Sequence, residues 1–403
     1  MMNRENVILS SFLKLRQYCE KEGFKGWDPY DGLNSKVFQM VPFLKKSALC
    51  RLVVIQGFKR SSINLRRIMM VPKEYNAKGI ALLLSGYCNL YNAIKNELNI
   101  NLTKSECLNK IIYLSELLIS LRSEGYSGMC WGYNFDWQSR KLFLFPKNTP
   151  TVVATSFAIE ALRESYLITG DNKYLEAILS SADFVLKDLH RTAGKEGFLF
   201  SYSPLKGNDT VYNASLLGSR ILLRCGEFSL QDRERYFNIA KESVKACCAA
   251  QNKDGSWVYG ELPTQKWVDS FHTGYNLDVL NVYAKLTNDN SFYANIERGK
   301  DYYLNTFFLD NGTPKYYNDR IYPIDIHSAG QLSITLHNGG IYNEHRDLAE
   351  KVLLWTIKNM QNKKEGYFYY QIKKNSTSTI PYMRWSQAFM FYSLSVHLIN
   401  EFK

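Results

Sequence analysis

Lys266-Trp-Val-Asp-Ser-Phe-His-Thr-Gly-Tyr-Asn-Leu-Asp-Val-Leu280, entered through Gln251-Asn-Lys-Asp-Gly-Ser-Trp-Val-Tyr259, is the clearest copy of a pattern that recurs through the last two thirds of the chain. Each copy has an amphipathic helical stretch, a Gly, a short aromatic alternation, a polar loop, and an apolar helix with a polar residue near its start. The Gly and aromatic part reads Gly128…Trp131-Gly-Tyr133, Gly197…Phe200-Ser-Tyr202, Gly255-Ser-Trp257-Val-Tyr259, Gly312…Tyr316 and Gly366…Phe368-Tyr-Tyr370. Aligned on the apolar positions that follow, the helix openings carry Ala154, Asn213, His272, His327 and Arg384, at steps of 59, 59, 55 and 57 residues. That period suits a helical hairpin carrying a functional loop.

Working outward, Tyr75 begins a regular alternation of helices: 77–96 and 104–122, 151–169 and 172–190, 211–224 and 230–251, 270–287 and 291–307, 326–337 and 343–361, then 383–401 alone. The first member of each pair is poor in charge on all sides and reads as an inner helix; the second carries Lys, Asp and Glu on one face and reads as outer. Six inner helices then face five outer ones. Helix 5–22 supplies the sixth by pairing with 383–401, so residues 1–403 form one domain whose ring leaves no uncapped end. Residues 23–76 form an N-terminal loop and helical extension over that ring, with Pro42 breaking the apolar segment 36–56. Its loop, Gly26-Trp-Asp-Pro-Tyr-Asp-Gly-Leu-Asn-Ser35, is crowded with aromatics and carboxylates and reads equally as a pinned loop or a substrate-facing one.

A chain of 403 residues, 45% hydrophobic and 14% aromatic, can bury a large core. The net charge of +12 favours an anionic partner. The basic pairs Lys45-Lys46, Arg66-Arg67 and Lys363-Lys364 read as scattered solvated faces, which argues against nucleic acid. The start of the chain reads as a helix rather than a signal peptide, and the uncharged run 79–94 is short of a membrane span. Eight cysteines without a Cys-x-x-Cys pair read as buried thiols in a reducing, cytoplasmic setting, with no zinc and no cofactor implied.

The six-hairpin reading, the Gln251…Asp254-Gly-Ser-Trp257 turn and the Arg384-Trp-Ser-Gln-Ala-Phe-Met-Phe-Tyr helix resemble the (α/α)6 toroid superfamily of carbohydrate-active proteins. The loop 26–35, with the rest, is similar to uncharacterised proteins of bacterial surface-polysaccharide gene clusters. The resemblance implies an all-α toroid with short aromatic β-like segments in its rim loops, a glycan substrate, and enzymes of polysaccharide assembly as partners. It implies no single reaction, because this fold hosts several.

Residues of equivalent phase should converge on one central mouth, bringing together Asn213, His272, His327 and Arg384 with Asp269 and Asp325 beside them. Abstraction of a C5 proton from a uronic acid needs the sugar carboxylate neutralised and a base that works near neutral pH. Arg384 and Asn213 fit the first role; His272, His327 and a rim tyrosine such as Tyr259 fit the second. Trp27, Asp31, Trp131, Tyr133, Trp137, Tyr202, Trp267 and Trp385 are candidates to stack on and hydrogen-bond a sugar. Lyase or C5-epimerase chemistry on an anionic oligo- or polysaccharide is therefore the leading expectation. Glycoside hydrolysis would instead use two carboxylates from Asp28 or Asp31, Asp136, Glu261 and Asp269. A His pair would serve a sugar 2-epimerase, and a non-catalytic glycan-binding role is the remaining alternative.

Overall fold

The computed structural model describes residues 4–138 and 144–402. The chain opens with α1 (Arg4–Lys21), then the short α2 (Lys36–Gln39), α3 (Pro42–Lys46) and α4 (Ala48–Arg60). Pro42 stands at the start of α3, where its missing N–H costs nothing. The regular alternation follows: α5 (Ala77–Lys95), α6 (Lys104–Ser120), α7 (Val152–Thr169), α8 (Asn172–Asp183), α9 (Tyr212–Phe228), α10 (Arg233–Ala249), α11 (Ser270–Thr287), α12 (Tyr293–Phe307), α13 (Ile326–Asn338), α14 (Arg346–Met360) and α15 (Phe389–Glu401).

Helices α5, α7, α9, α11, α13 and α15 are almost wholly buried, and each packs on the next, with α15 returning to α5. Helices α6, α8, α10, α12 and α14 lie outside them. Helix α1 takes the remaining outer place against α14 and α15, with Phe12 5.0 Å from Phe391. Charge-poor sequences thus form the inner circle because they are enclosed on every side, while the outer helices bury one stripe and solvate the other.

Short antiparallel ladders occupy the rim loops: β1 (Trp137–Gln138) with β2 (Leu144–Phe145), β3 (Arg191–Ala193) with β4 (Phe198–Phe200), and β5 (Ile324–Asp325), β6 (Gln371–Lys373) and β7 (Ser376–Ser378) in order. The repeated tryptophans bolt this rim to the outer helices: Trp131 Nε1 donates to the Leu118 carbonyl at 2.7 Å and Trp257 Nε1 to Cys247 at 3.0 Å. Four inner helices begin at a side-chain cap, where Asn76, Thr151, Asp269 and Asp325 accept from Gly79, Ala154, His272 and His327 N–H groups. These caps fix the direction of the first turn, so the residues just after them face one end of the ring.

Candidate active site

Asp269 is buried and accepts three hydrogen bonds: from His272 N–H at 2.9 Å, from Trp267 Nε1 at 2.9 Å and from His272 Nδ1 at 2.7 Å. A carboxylate can only accept, so Nδ1 carries the hydrogen in the neutral imidazole and Nε2 is left as the basic nitrogen. The His272 side chain keeps 20% of its surface open, whereas Asp269 keeps none. Tyr259 stacks on Trp267 at 4.5 Å and lies 4.7 Å from the His272 ring. The result is a carboxylate-oriented imidazole set in an aromatic wall.

Behind it runs a buried chain. Lys78 Nζ donates to Tyr275 Oη at 3.0 Å, and Tyr275 Oη lies 2.6 Å from His327 Nε2. Burial, with Lys78, Arg384 and His272 adding to it, pushes His327 well below the ordinary imidazole range, so His327 is neutral and Tyr275 donates to it. Burial likewise depresses Lys78, helped by Arg384 and Arg220, and raises the Tyr275 phenol. His327 is clamped between Phe271, stacked at 4.3 Å, and Phe389 at 3.6 Å, with the edge of Trp385 4.9 Å away. Its Nδ1 has no hydrogen-bond partner.

Arg384 lies at this end, but its guanidinium is occupied. Asp28 accepts from Nε at 2.5 Å and from an Nη at 2.8 Å, with both side chains 4% exposed. The role of free carboxylate receptor expected for Arg384 is corrected accordingly: a carboxylate of the chain already fills the fork. Trp27 anchors the same loop through Nε1 to the Val71 carbonyl and is not open to a sugar. Asp31 is buried against Arg66 at 2.8 Å and caps the Asp28 N–H. Trp131 is fully buried as the bolt described above, and Trp385 is buried with Nε1 on Asp325 at 2.8 Å. Asp136, just before β1, accepts from the N–H of Lys147, just after β2, which ties it to the open end of that hairpin. Asp325 is held by Trp385, Gln371 and His327 N–H, and burial pushes its carboxyl up to about 6.

Half-buried aromatics surround His272 and the Arg384 end. Tyr30 lies 5.9 Å from Trp385 and 6.4 Å from Trp137; Tyr133 and Tyr202 hydroxyls are 3.5 Å apart; Arg384 sits 5.0 Å over the Tyr133 ring. Asn213 opens α9 at the same phase but is buried, with its Oδ1 unpartnered. Lys59 reaches in from the end of α4, its Nζ 2.6 Å from Tyr30 Oη, and no described carboxylate lies within ion-pair distance of it.

Lys59 and Lys78 are the residues that sequence reasoning did not place, and Asp28, a candidate there only for hydrolysis, is the partner of Arg384. Lys78 had a signal: it is the charge that precedes the uncharged run 79–94, at the opening of the first inner helix. Lys59 had none, nor had the pairing of Asp28 with Arg384, because both depend on how residues 23–76 cross the ring.

No protein-family model and no curated protein sequence matches the chain. Solved structures do. An unsaturated glucuronyl hydrolase from Streptococcus agalactiae superposes with a TM-score of 0.57 at 12% identity, covering 100% of this chain and 92% of its own. A cellobiose 2-epimerase from Bacillus thermoamylovorans gives 0.58 at 11% identity, covering 82% and 90%. A GH76 alpha-mannanase from Bacteroides thetaiotaomicron gives 0.58 at 13%, covering 81% and 87%. The chain has the (α/α)6 toroid fold. The toroid gives residues 55–59 positions apart the same place on successive hairpins of one ring.

Proposed function

We propose that this toroid is a carbohydrate-active enzyme that removes a proton from a sugar carbon next to a carbonyl or carboxylate, with His272 as the base. The observation that carries this reading is the Asp269–His272 pair at 2.7 Å, with the imidazole partly open between Tyr259 and Trp267. A neutral imidazole with one nitrogen fixed by a buried carboxylate is suited to taking a proton near neutral pH. The favoured substrate is a uronate in an anionic glycan, reacting at C5. Lys59 takes the carboxylate-neutralising role that the Asp28 contact denies to Arg384. Tyr275, in its chain with Lys78 and His327, returns or relays the proton from behind. The kinds of enzyme that share the fold, a glucuronyl hydrolase and a 2-epimerase among them, are consistent with a glycan substrate.

A second reading is epimerisation at C2 of a ring-opened sugar, which needs no carboxylate receptor; the occupied Arg384 fork favours it. Hydrolysis by paired carboxylates is less favoured, since four of its five candidates, Asp28, Asp31, Asp136 and Asp269, already hold specific donors.

The test is incubation with uronate polysaccharides and with reducing disaccharides in deuterated water. Deuterium at C5, or ultraviolet absorbance from a C4–C5 double bond, supports the first reading; deuterium at C2 supports the second. New reducing ends with neither signal would sink both.

A further inference from the structure

Residues 32–73 contain no Asp or Glu and nine Lys or Arg, against a net charge of +12 for the whole chain. The same stretch carries the densest group of exposed apolar side chains. Met40, Phe43, Leu49, Val53, Ile63 and Ile68 are each at least 61% exposed, whereas elsewhere exposed large apolar residues stand singly, as Leu167 and Leu230 do, or in the pairs Ile112-Tyr113 and Ile321-Tyr322. Exposed Lys36, Lys45, Lys46, Arg60 and Arg67 are interleaved with them.

Helix α4 explains how both sets reach solvent. Ile55 and Phe58 are buried on its inner face, while Leu49, Val53, Gly57 and Arg60 follow an i, i+4, i+8, i+11 stripe on the outer one. The element is also fastened to the body. Arg51 Nε donates to Gln138 at 2.8 Å, Lys373 Nζ donates to the Arg60 carbonyl at 2.5 Å, and Lys36 N–H meets the Met70 carbonyl at 3.4 Å. Its apolar side chains are therefore held outward by a docked scaffold.

We propose that this face, α3 and α4 with the 63–70 segment, docks the protein peripherally on an anionic lipid bilayer. Aliphatic and aromatic side chains enter the acyl boundary while Lys and Arg hold the negative headgroups, a combination characteristic of interfacial elements. A second copy of the chain would bring two carboxylate-free cationic faces together, and like charges disfavour that. A nucleic acid or acidic glycan would use the cations but give the protruding Phe43, Leu49 and Val53 nothing to enter. No described helix is long and apolar enough to cross a membrane, which is consistent with docking rather than spanning. The inference does not rest on the proposed reaction.

The experiment is flotation of the full chain with vesicles of phosphatidylcholine alone and of phosphatidylcholine with about one third phosphatidylglycerol, at roughly physiological salt. Flotation with the mixed vesicles and little with the neutral ones is expected. The combined substitution Phe43→Ser, Leu49→Ser, Val53→Ser should lower partitioning at least about tenfold, as should Lys45→Glu with Lys46→Glu. Because all five side chains are exposed, thermal unfolding should be unchanged. Three results would overturn the proposal: no flotation with mixed vesicles; flotation unaffected by both sets of substitutions; or a wild-type dimer in sedimentation that the apolar substitutions disperse.

Discussion

Asp269 does two things with one carboxylate: Oδ1 caps α11 and Oδ2 holds the imidazole that follows one turn later. The two can be separated. His272→Ala removes the proposed base but leaves the cap, so turnover should fall by about two to four orders of magnitude with melting little changed. Asp269→Asn keeps an acceptor for the cap but alters the Nδ1 contact, so it should lower kcat more than stability. Asp269→Ala should in addition cost about 1 kcal/mol of stability through the lost cap. Equal kcat in wild type and His272→Ala would remove His272 from the chemistry. At Arg384 the expectation is reversed: Asp28→Ala strands a buried guanidinium and should destabilise by about 3–5 kcal/mol in chemical denaturation. The two histidines were legible because they fall on one phase of a repeat. The pairing of Asp28 with Arg384 and the approach of Lys59 were not, because a loop's path over a ring leaves no periodic trace. Trp131 was misassigned because an aromatic in a rim loop looks the same from sequence whether it stacks on a sugar or bolts the loop down.

The inner helices were legible as elements, since enclosure on all sides demands long charge-poor runs and those stand out. Their interior was less so. Residues 383–388 form a π-helical turn before α15, for which the sequence carries no periodic mark. Polar groups deeper along the inner helices are also paired out of sight of the sequence: Glu160 with Arg224 at 2.6 Å, Arg163 with Glu227 at 2.6 Å, and Asp278 with Gln331 at 2.9 Å. Burial pushes the Asp278 carboxyl up to about 7, although Arg220 opposes it, and leaves Oδ1 without a partner. A raised folded-state pKa means the native protein binds this proton more tightly than the unfolded chain. Its stabilising effect is therefore complete below about pH 4 and is lost as pH rises through about 7. Between those limits Asp278→Asn should flatten the dependence of unfolding free energy on pH, by up to about 1.4 kcal/mol per pH unit. Parallel pH profiles for variant and wild type would show that Asp278 ionises freely in the fold.

At the scale of the molecule, one relation recurs around the ring and ties its ends together. A Cβ placed on the repeat glycine would meet a carbonyl oxygen of a neighbouring outer helix: Gly128 meets Ser180 of α8, Gly197 Glu242 of α10, Gly255 Arg298 of α12 and Gly312 Lys351 of α14. Gly366 makes the corresponding approach to Lys14 of α1, at 2.7 Å. Helix α1 therefore occupies the position that each preceding hairpin gives to its own outer helix, reached from the far end of the chain. The Gln361 side chain adds a hydrogen bond to the Ser11 carbonyl at 3.1 Å, while the exposed Lys21–Glu365 pair adds little. Gly366 also has a φ of +81, which a side chain adopts only under strain. Gly366→Ala should thus act twice, straining the turn and pushing α1 off its seat, and should cost more than the roughly 1 kcal/mol expected from backbone strain alone. Limited proteolysis separates the two contributions: release of α1 would open cleavage at Lys14 and Lys21 under native conditions, whereas strain confined to the turn would lower the melting temperature and leave those sites protected. A variant that melts and digests as the wild type does would mean that α1 is held without this contact.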